Sequence, residues 1–305
     1  MNIIEQMLKK YEIHSKEDIY NALREIFQEI TLLGLYNGGF FEKATFYGGT
    51  CLRIFYGLPR FSEDLDCSLL QKDENFNIEK YFGHIVDEFE ALGIKVNIAK
   101  KIKQNSTVES AFLKNDTKIY DLSVDAKNFY NAKENSVIKI KIEADTNPPL
   151  HFETETKMLL LPKSFSITTM TLPNLYAGKI HALLFRDWKM RVKGRDWFDF
   201  EWYVKNNVPL NLKHLYYRIK DSGNTTKEYI TQNDLQELLL AKIDEVNFEW
   251  AIDDAIKFVK NPSELEVWNK DYFRFLVSKI HYQQKRLDND TQPPPSQGQR
   301  KSHKK

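Results

Sequence analysis

The sequence predicts an α+β fold, with strands gathered before residue 165 and helices after it. Three observations carry that expectation. The apolar run Ala44 to Tyr47 meets Gly48-Gly49 and then an apolar stretch, Cys51 to Tyr56, closed by Gly57 and Pro59, which reads as strand, sharp turn and short helix. The stretch Ser136 to Ala144 alternates strictly, Ile138, Ile140, Ile142 and Ala144 taking one face and Lys139, Lys141, Glu143 and Asp145 the other. From Thr171 to 285 apolar residues recur at helical periods instead. The expected organisation is a core over 1–165 that includes N-terminal helices, a helical domain over 166–285 and a disordered tail over 286–305.

The remaining elements follow in order. Ile3, Ile4, Met7, Leu8 and Tyr11 have helical spacing, and Ser15 with Asp18 resembles the start of a second helix carrying Ile19, Leu23, Phe27 and Ile30. Ile78 to Leu92 reads as an amphipathic helix that Gly93 ends. Ile94 to Ile102, Thr107 to Leu113 and Lys118 to Ser123 read as strands, with a loop over 126–135 before the alternating one. Leu175 to Trp188 is expected to be helical, with Lys179, Leu183 and Arg186 on one face; a basic loop, Lys189 to Arg195, precedes a helix that puts Asp196, Asp199 and Tyr203 together.

Composition sets limits on function. The chain has 305 residues, 42% apolar and 13% aromatic, with a net charge of +1, so nucleic-acid binding has to come from local patches. Cys51 and Cys67 are expected as buried free thiols of a reducing compartment, and the seven histidines lack zinc-ligand spacing. No apolar run reaches the ~18 residues of a membrane span. The N-terminus lacks a signal-peptide core, so the expected location is cytoplasmic.

The chemistry concentrates in Tyr47 to Asp66, YGGTCLRIFYGLPRFSEDLD. Glycines let a ligand approach the backbone, Thr50 is an N-cap candidate, and a helix N-terminus behind them suits a phosphate. Asp64 and Asp66 are two apart on a strand and share a face, with Leu65 turned into the core. At a separation of roughly 4 Å two carboxylates repel by about 4 kcal/mol at an effective dielectric of about 20. A divalent cation offsets that cost, and a phosphate cradle beside paired carboxylates suits metal-assisted phosphoryl or nucleotidyl transfer. Glu143 is the candidate third carboxylate, with Asp145 the alternative.

FYGGTCLRIFYGLPRFSEDLDCSLL resembles the first motif of the AbiEii/AbiGii toxin family of nucleotidyltransferases, a branch of the DNA polymerase beta superfamily. LYAGKIHALLFRDWKMRVKGRDWFDFEWYV is similar to the family's Lys-helix and its Arg-Asp-aromatic-Asp segment, and IKIKIEAD stands where the family has its further catalytic strand. The resemblance implies a polymerase-beta-like core of mixed sheet and flanking helices. It implies that Gly48, Gly49 and Thr50 hold the triphosphate of an NTP, Asp64 and Asp66 bind Mg²⁺ (or Mn²⁺) with Glu143 beside them, and Lys179 contacts phosphates near the acidic Asp196. Ser62 matches a serine that is a regulatory phosphorylation point in some relatives; Arg53 and Arg186 are added as phosphate contacts from spacing and charge. The implied partners are a separately encoded antitoxin and a tRNA acceptor. The expected activity is that of a Mg-dependent nucleotidyltransferase toxin acting on the tRNA 3′ end, the alternatives being a protein hydroxyl as acceptor and a catalytically silent nucleotide- or partner-binding module.

Overall fold

The computed structural model describes residues 3–100, 117–125 (backbone only), 137–186 and 192–284. Seven strands form one mixed sheet among these residues: β1 Ala44–Tyr47, β2 Asp64–Leu69, β3 Val96–Lys100, β4 Thr117–Asp125, β5 Val137–Asp145, β6 Thr154–Leu159 and β7 Phe165–Met170. Their order across the sheet is β3-β4-β5-β2-β1-β7-β6. The expected α+β class is the one the chain adopts.

The alternating stretch becomes β5, and its apolar face is fully buried at Ile138, Ile140 and Ile142. It lies parallel to β2, which is antiparallel to β1, and β1 in turn is parallel to β7. β6 and β7 were not foreseen: Thr154–Leu159 has a half-exposed, charge-bearing face and gives no apolar periodicity. The expected strand 107–113, the loop 126–135, Lys189, Arg191 and the tail 286–305 lie outside the described residues.

The N-terminal helices are α1, Ile3–Leu8, and α2, Lys16–Asn37; Ser15 and Asp18 form a capping box at the start of α2. The helix read from residue 78 is a 3-10 turn, Ile78–Tyr81, running into α4, Phe82–Glu90. α2 packs against both α4 and the sheet. The short helix after β1 is α3, Gly48–Tyr56, which begins two residues before Thr50. Thr50 is therefore inside the helix and not its cap; its hydroxyl donates to the backbone carbonyl of Asp64. Gly57 ends the helix in the left-handed conformation, φ 73°.

Helices dominate from α5, Leu172–Phe185, through α6, Gly194–Lys205, α7, Leu212–Asp221, α8, Gln232–Glu245, α9, Phe248–Ala255, and α10, Lys270–Val277. Their apolar side chains and those of the sheet make one continuous core that runs from Ile4 to Ile280. Gly194 sets how close α6 comes to α9, because a Cβ there would stand 1.8 Å from the carbonyl oxygen of Ala251. The backbone also ties the two parts directly: Phe61 N–H donates to Phe258 O at 3.1 Å, beside an antiparallel bridge from Arg60 to Val259. Among the described residues no helix is long and apolar enough to cross a membrane.

Candidate active site

The site has two walls, the first a face of the sheet. Parallel pairing of β2 with β5 sets Asp64 opposite Lys141 and Asp66 opposite Glu143, so three carboxylates and one lysine share a small patch. Lys141 Nζ reaches Asp64 at 2.9 Å and Glu143 at 2.6 Å. Asp66 is left with the repulsion: burial first, then Glu143 and Asp64, pushes its carboxyl up to about 7, against the pull of Lys141 and Lys193. Burial works against the charge on Lys141, yet Asp64 and Glu143 raise its pKa above the usual value. The turn into α3 lies directly on this patch. Gly48 has φ +83°, and a Cβ there would stand 2.2 Å from Asp66 Oδ2, so a side chain is excluded both by the conformation and by the carboxylate.

The second wall is a buried ion-pair network between α3's exit loop, α5 and α6. Arg60 grips Asp199 with two bonds of 2.6 Å, and these two residues are 3% and 0% exposed. Lys179 Nζ bridges Asp196 and Asp199, at 2.7 Å each, and Arg186 reaches Asp196 at 3.2 Å. Burial opposes ionisation of Asp196, but Lys179, Arg186 and Lys193 overcome it and hold its carboxyl well below the ordinary range. Asp199 is held low in the same way by Arg60 and Lys179. Lys193 favours the charged form of both Asp66 and Asp196. Burial, with Arg186, Lys179 and Arg195 nearby, brings Lys193 down to about 8 even though Asp196 favours its charge.

These placements sort the residues singled out in the sequence. Asp64, Asp66 and Glu143 come together on the sheet, and Lys179, Arg186 and Asp196 come together on the helices. Gly49 faces Ser62 and Arg60: a Cβ on it would lie 2.9 Å from Ser62 Oγ and 2.9 Å from Arg60 Nη2. Arg53 is turned away from both walls. Its Nε reaches Glu25 of α2 at 2.7 Å, one Nη donates to Leu58 O, and the group stacks on Phe61. The sequence reading missed Arg60 as the partner of Asp199, Lys141 as a counter-ion, and a clamp at Glu63. Glu63, next to Asp64, pairs with Arg24 of α2 at 3.2 Å and Arg195 of α6 at 3.0 Å. The signal for Lys141 was present, since it stands two residues from Glu143 on the same strand face. Cys51 and Cys67 are buried free thiols.

As they stand, no three His, Cys, Asp or Glu side chains among the described residues form a ready metal-holding group. At the sheet patch the Lys141 ammonium sits in that position, bridging Asp64 and Glu143. The donor chemistry nevertheless fits a hard divalent cation: three carboxylates, one of them kept from easy ionisation by burial and by its two carboxylate neighbours.

The profile of the family described as "Nucleotidyl transferase AbiEii toxin, Type IV TA system" matches residues 30–288. Two solved structures share the fold. JHP933 from Helicobacter pylori is 18% identical, with a TM-score of 0.51 over 88% of this chain and 94% of its own. MenT4, a nucleotidyltransferase toxin from Mycobacterium tuberculosis, is 15% identical, with a TM-score of 0.55 over 90% of this chain and 88% of its own. Among curated proteins none matches.

Proposed function

The chain belongs to the AbiEii family of nucleotidyltransferase toxins of type IV toxin–antitoxin systems, and on that premise we propose that it transfers a nucleoside monophosphate from an NTP to the 3′ end of a tRNA, blocking translation. The observation that supports this reading is the carboxylate patch itself. Asp64, Asp66 and Glu143 carry more negative charge than Lys141 balances, and the patch lies against the Gly48 turn. A bare carboxylate cluster repels a triphosphate, so the site needs a divalent cation before it can take one. We assign Mg²⁺ (or Mn²⁺) to Asp64, Asp66 and Glu143. When bound, it neutralises phosphate charge and orients the α-phosphorus for in-line attack.

The protein's own groups do the rest. Gly48 and Gly49 let the phosphates approach the backbone at the start of α3, where free N–H groups and the helix dipole favour an anion. Lys179 uses two of its three N–H donors on Asp196 and Asp199, leaving the third for a phosphate at a position those two acids determine. Lys193 and Arg186 add positive charge where the chain enters α6. The basic stretch Lys189 to Arg195 suits an RNA backbone, since phosphate contacts position a nucleic acid without reading its sequence. Ser62 is our candidate off-switch: a phosphate on it would add a charge of about −1.5 to −2 beside the turn.

The family places a cognate antitoxin opposite this toxin, and the setting we propose is the cytoplasm. The organisation we propose is a nucleotidyltransferase core over 1–165 and a helical domain over 166–285. The test is to incubate the protein with each α-labelled NTP and Mg²⁺, together with total tRNA or total protein. Label in tRNA is the expected result. Label in protein instead would move the acceptor to a protein hydroxyl, and no label from a folded protein would contradict transfer altogether.

A further inference from the structure

Six of the described arginines, Arg24, Arg53, Arg60, Arg186, Arg195 and Arg274, each reach a carboxylate. Arg218 of α7 does not. The residue is half-buried, and its Nε is fully buried with no hydrogen-bond partner among the described residues. A buried N–H left unpaired is costly. Such a group is held for something.

Its position says what. A Cβ on Gly178 would lie 3.8 Å from Arg218 Cζ, 3.9 Å from Nη1 and 4.0 Å from Nε. Near-equal distances mean that the plane of the group faces α5 where Gly178 leaves the helix bare, one residue before Lys179. The charge of Arg218 is felt by Tyr47, which is paired with Asp66 across β1 and β2 and is also acted on by Asp145 and Glu143. His214, one turn back on α7 and buried, supplies no compensating charge: burial and then Arg218 push it down to about 3.

We infer that Arg218 is a second phosphate-binding cation of the cleft, entering beside Tyr47 while Lys179 enters from the α6 side. An arginine fork matches two phosphate oxygens at once, which a lysine does not. The phosphate belongs either to the NTP or to the backbone of the acceptor. This inference rests on nucleotidyl transfer as the family's chemistry and not on the choice of acceptor.

The test is equilibrium binding by the full chain, with Arg218→Ala and Arg218→Lys beside the wild type. One arm uses a non-hydrolysable NTP with Mg²⁺, the other a labelled total-tRNA pool without NTP. Arg218→Ala should weaken one of the two by about tenfold or more, the weakened arm naming the source of the phosphate, and Arg218→Lys should recover part of the loss. Arg218→Met keeps the aliphatic stem and is read in the same way if the alanine variant does not fold. Affinities within about a factor of two of wild type in both arms would overturn the inference, whatever happens to the melting temperature. Wild type that binds NTP but no tRNA would sink the acceptor reading alone, and the NTP arm would still decide the role of Arg218.

Discussion

The two walls of the cleft use the same kinds of residue to opposite ends. On the helical wall Asp196 and Asp199 are almost completely buried, at 3% and 0% exposure, yet they meet three cations: Lys179, Arg186 and Arg60. On the sheet wall Asp64, Asp66 and Glu143 are less buried and have Lys141 alone in ion-pair contact among the described residues. The deeper acids have depressed pKa values, and the shallower Asp66 is pushed up. What decides the state of a carboxylate here is therefore its share of counter-charge more than its depth. A wall whose charges are settled works as a brace that aims Lys179; a wall whose charges are unsettled waits for a cation.

The largest effect that tests this contrast is on activity. Asp66→Asn should lower nucleotidyl transfer by about a hundredfold or more while leaving the melting temperature unchanged or raised, as label incorporation and calorimetry will show. Its pH signature has a definite sign. The folded protein holds a proton on Asp66 up to about 7, whereas an unperturbed carboxyl has released it above 3.8. Metal-free stability from this group therefore falls as pH rises from about 4 to 7, and Asp66→Asn should remove that slope. The helical wall behaves oppositely. Asp196 and Asp199 stabilise the fold above the ordinary carboxylate range, and that stability is lost as pH drops below it.

Next in size is Asp199→Ala, which leaves Arg60 and Lys179 buried without their shared partner. It should cost about 3–5 kcal/mol in urea denaturation, and activity should fall with it because Lys179 loses one of the two acids that aim it. Lys141→Ala removes the cation between Asp64 and Glu143. In EDTA it should lower stability by about 1 kcal/mol, with Mg²⁺ recovering the loss. The smallest effect belongs to Arg53→Met. Because that guanidinium holds Glu25 and the Leu58 carbonyl, the change should cost about 1 kcal/mol of stability and leave the KM for NTP unaltered.

Much of the sheet wall could be read from the sequence, because strand periodicity assigns faces and a two-residue step keeps Asp64 with Asp66 and Lys141 with Glu143. That β2 would lie beside β5, and in the register that puts Asp66 opposite Glu143, is a pairing of segments far apart in the chain, which no local pattern encodes. The same limit hid Arg60 with Asp199 and Glu63 with Arg24 and Arg195, all long-range pairs. Arg53 shows the reverse error: a cation at a promising spacing was credited to a ligand when a carboxylate from α2 was waiting for it. β6 escaped notice because the half-exposed face that would carry the apolar signal holds Glu155 and Lys157 beside Leu159, at an edge of the sheet.

The claim at the centre of this account is that the sheet wall is short of positive charge and the helical wall is not. The most direct measurement is the shift in melting temperature with added Mg²⁺, near neutral pH, for wild type, Asp66→Asn and Asp196→Asn. A cation that binds the folded state raises stability in proportion to its affinity. The account predicts a clear Mg²⁺ shift in wild type, the same shift from a lower starting point in Asp196→Asn, and little or none in Asp66→Asn. An equal shift in wild type and Asp66→Asn would place the metal elsewhere and contradict the account.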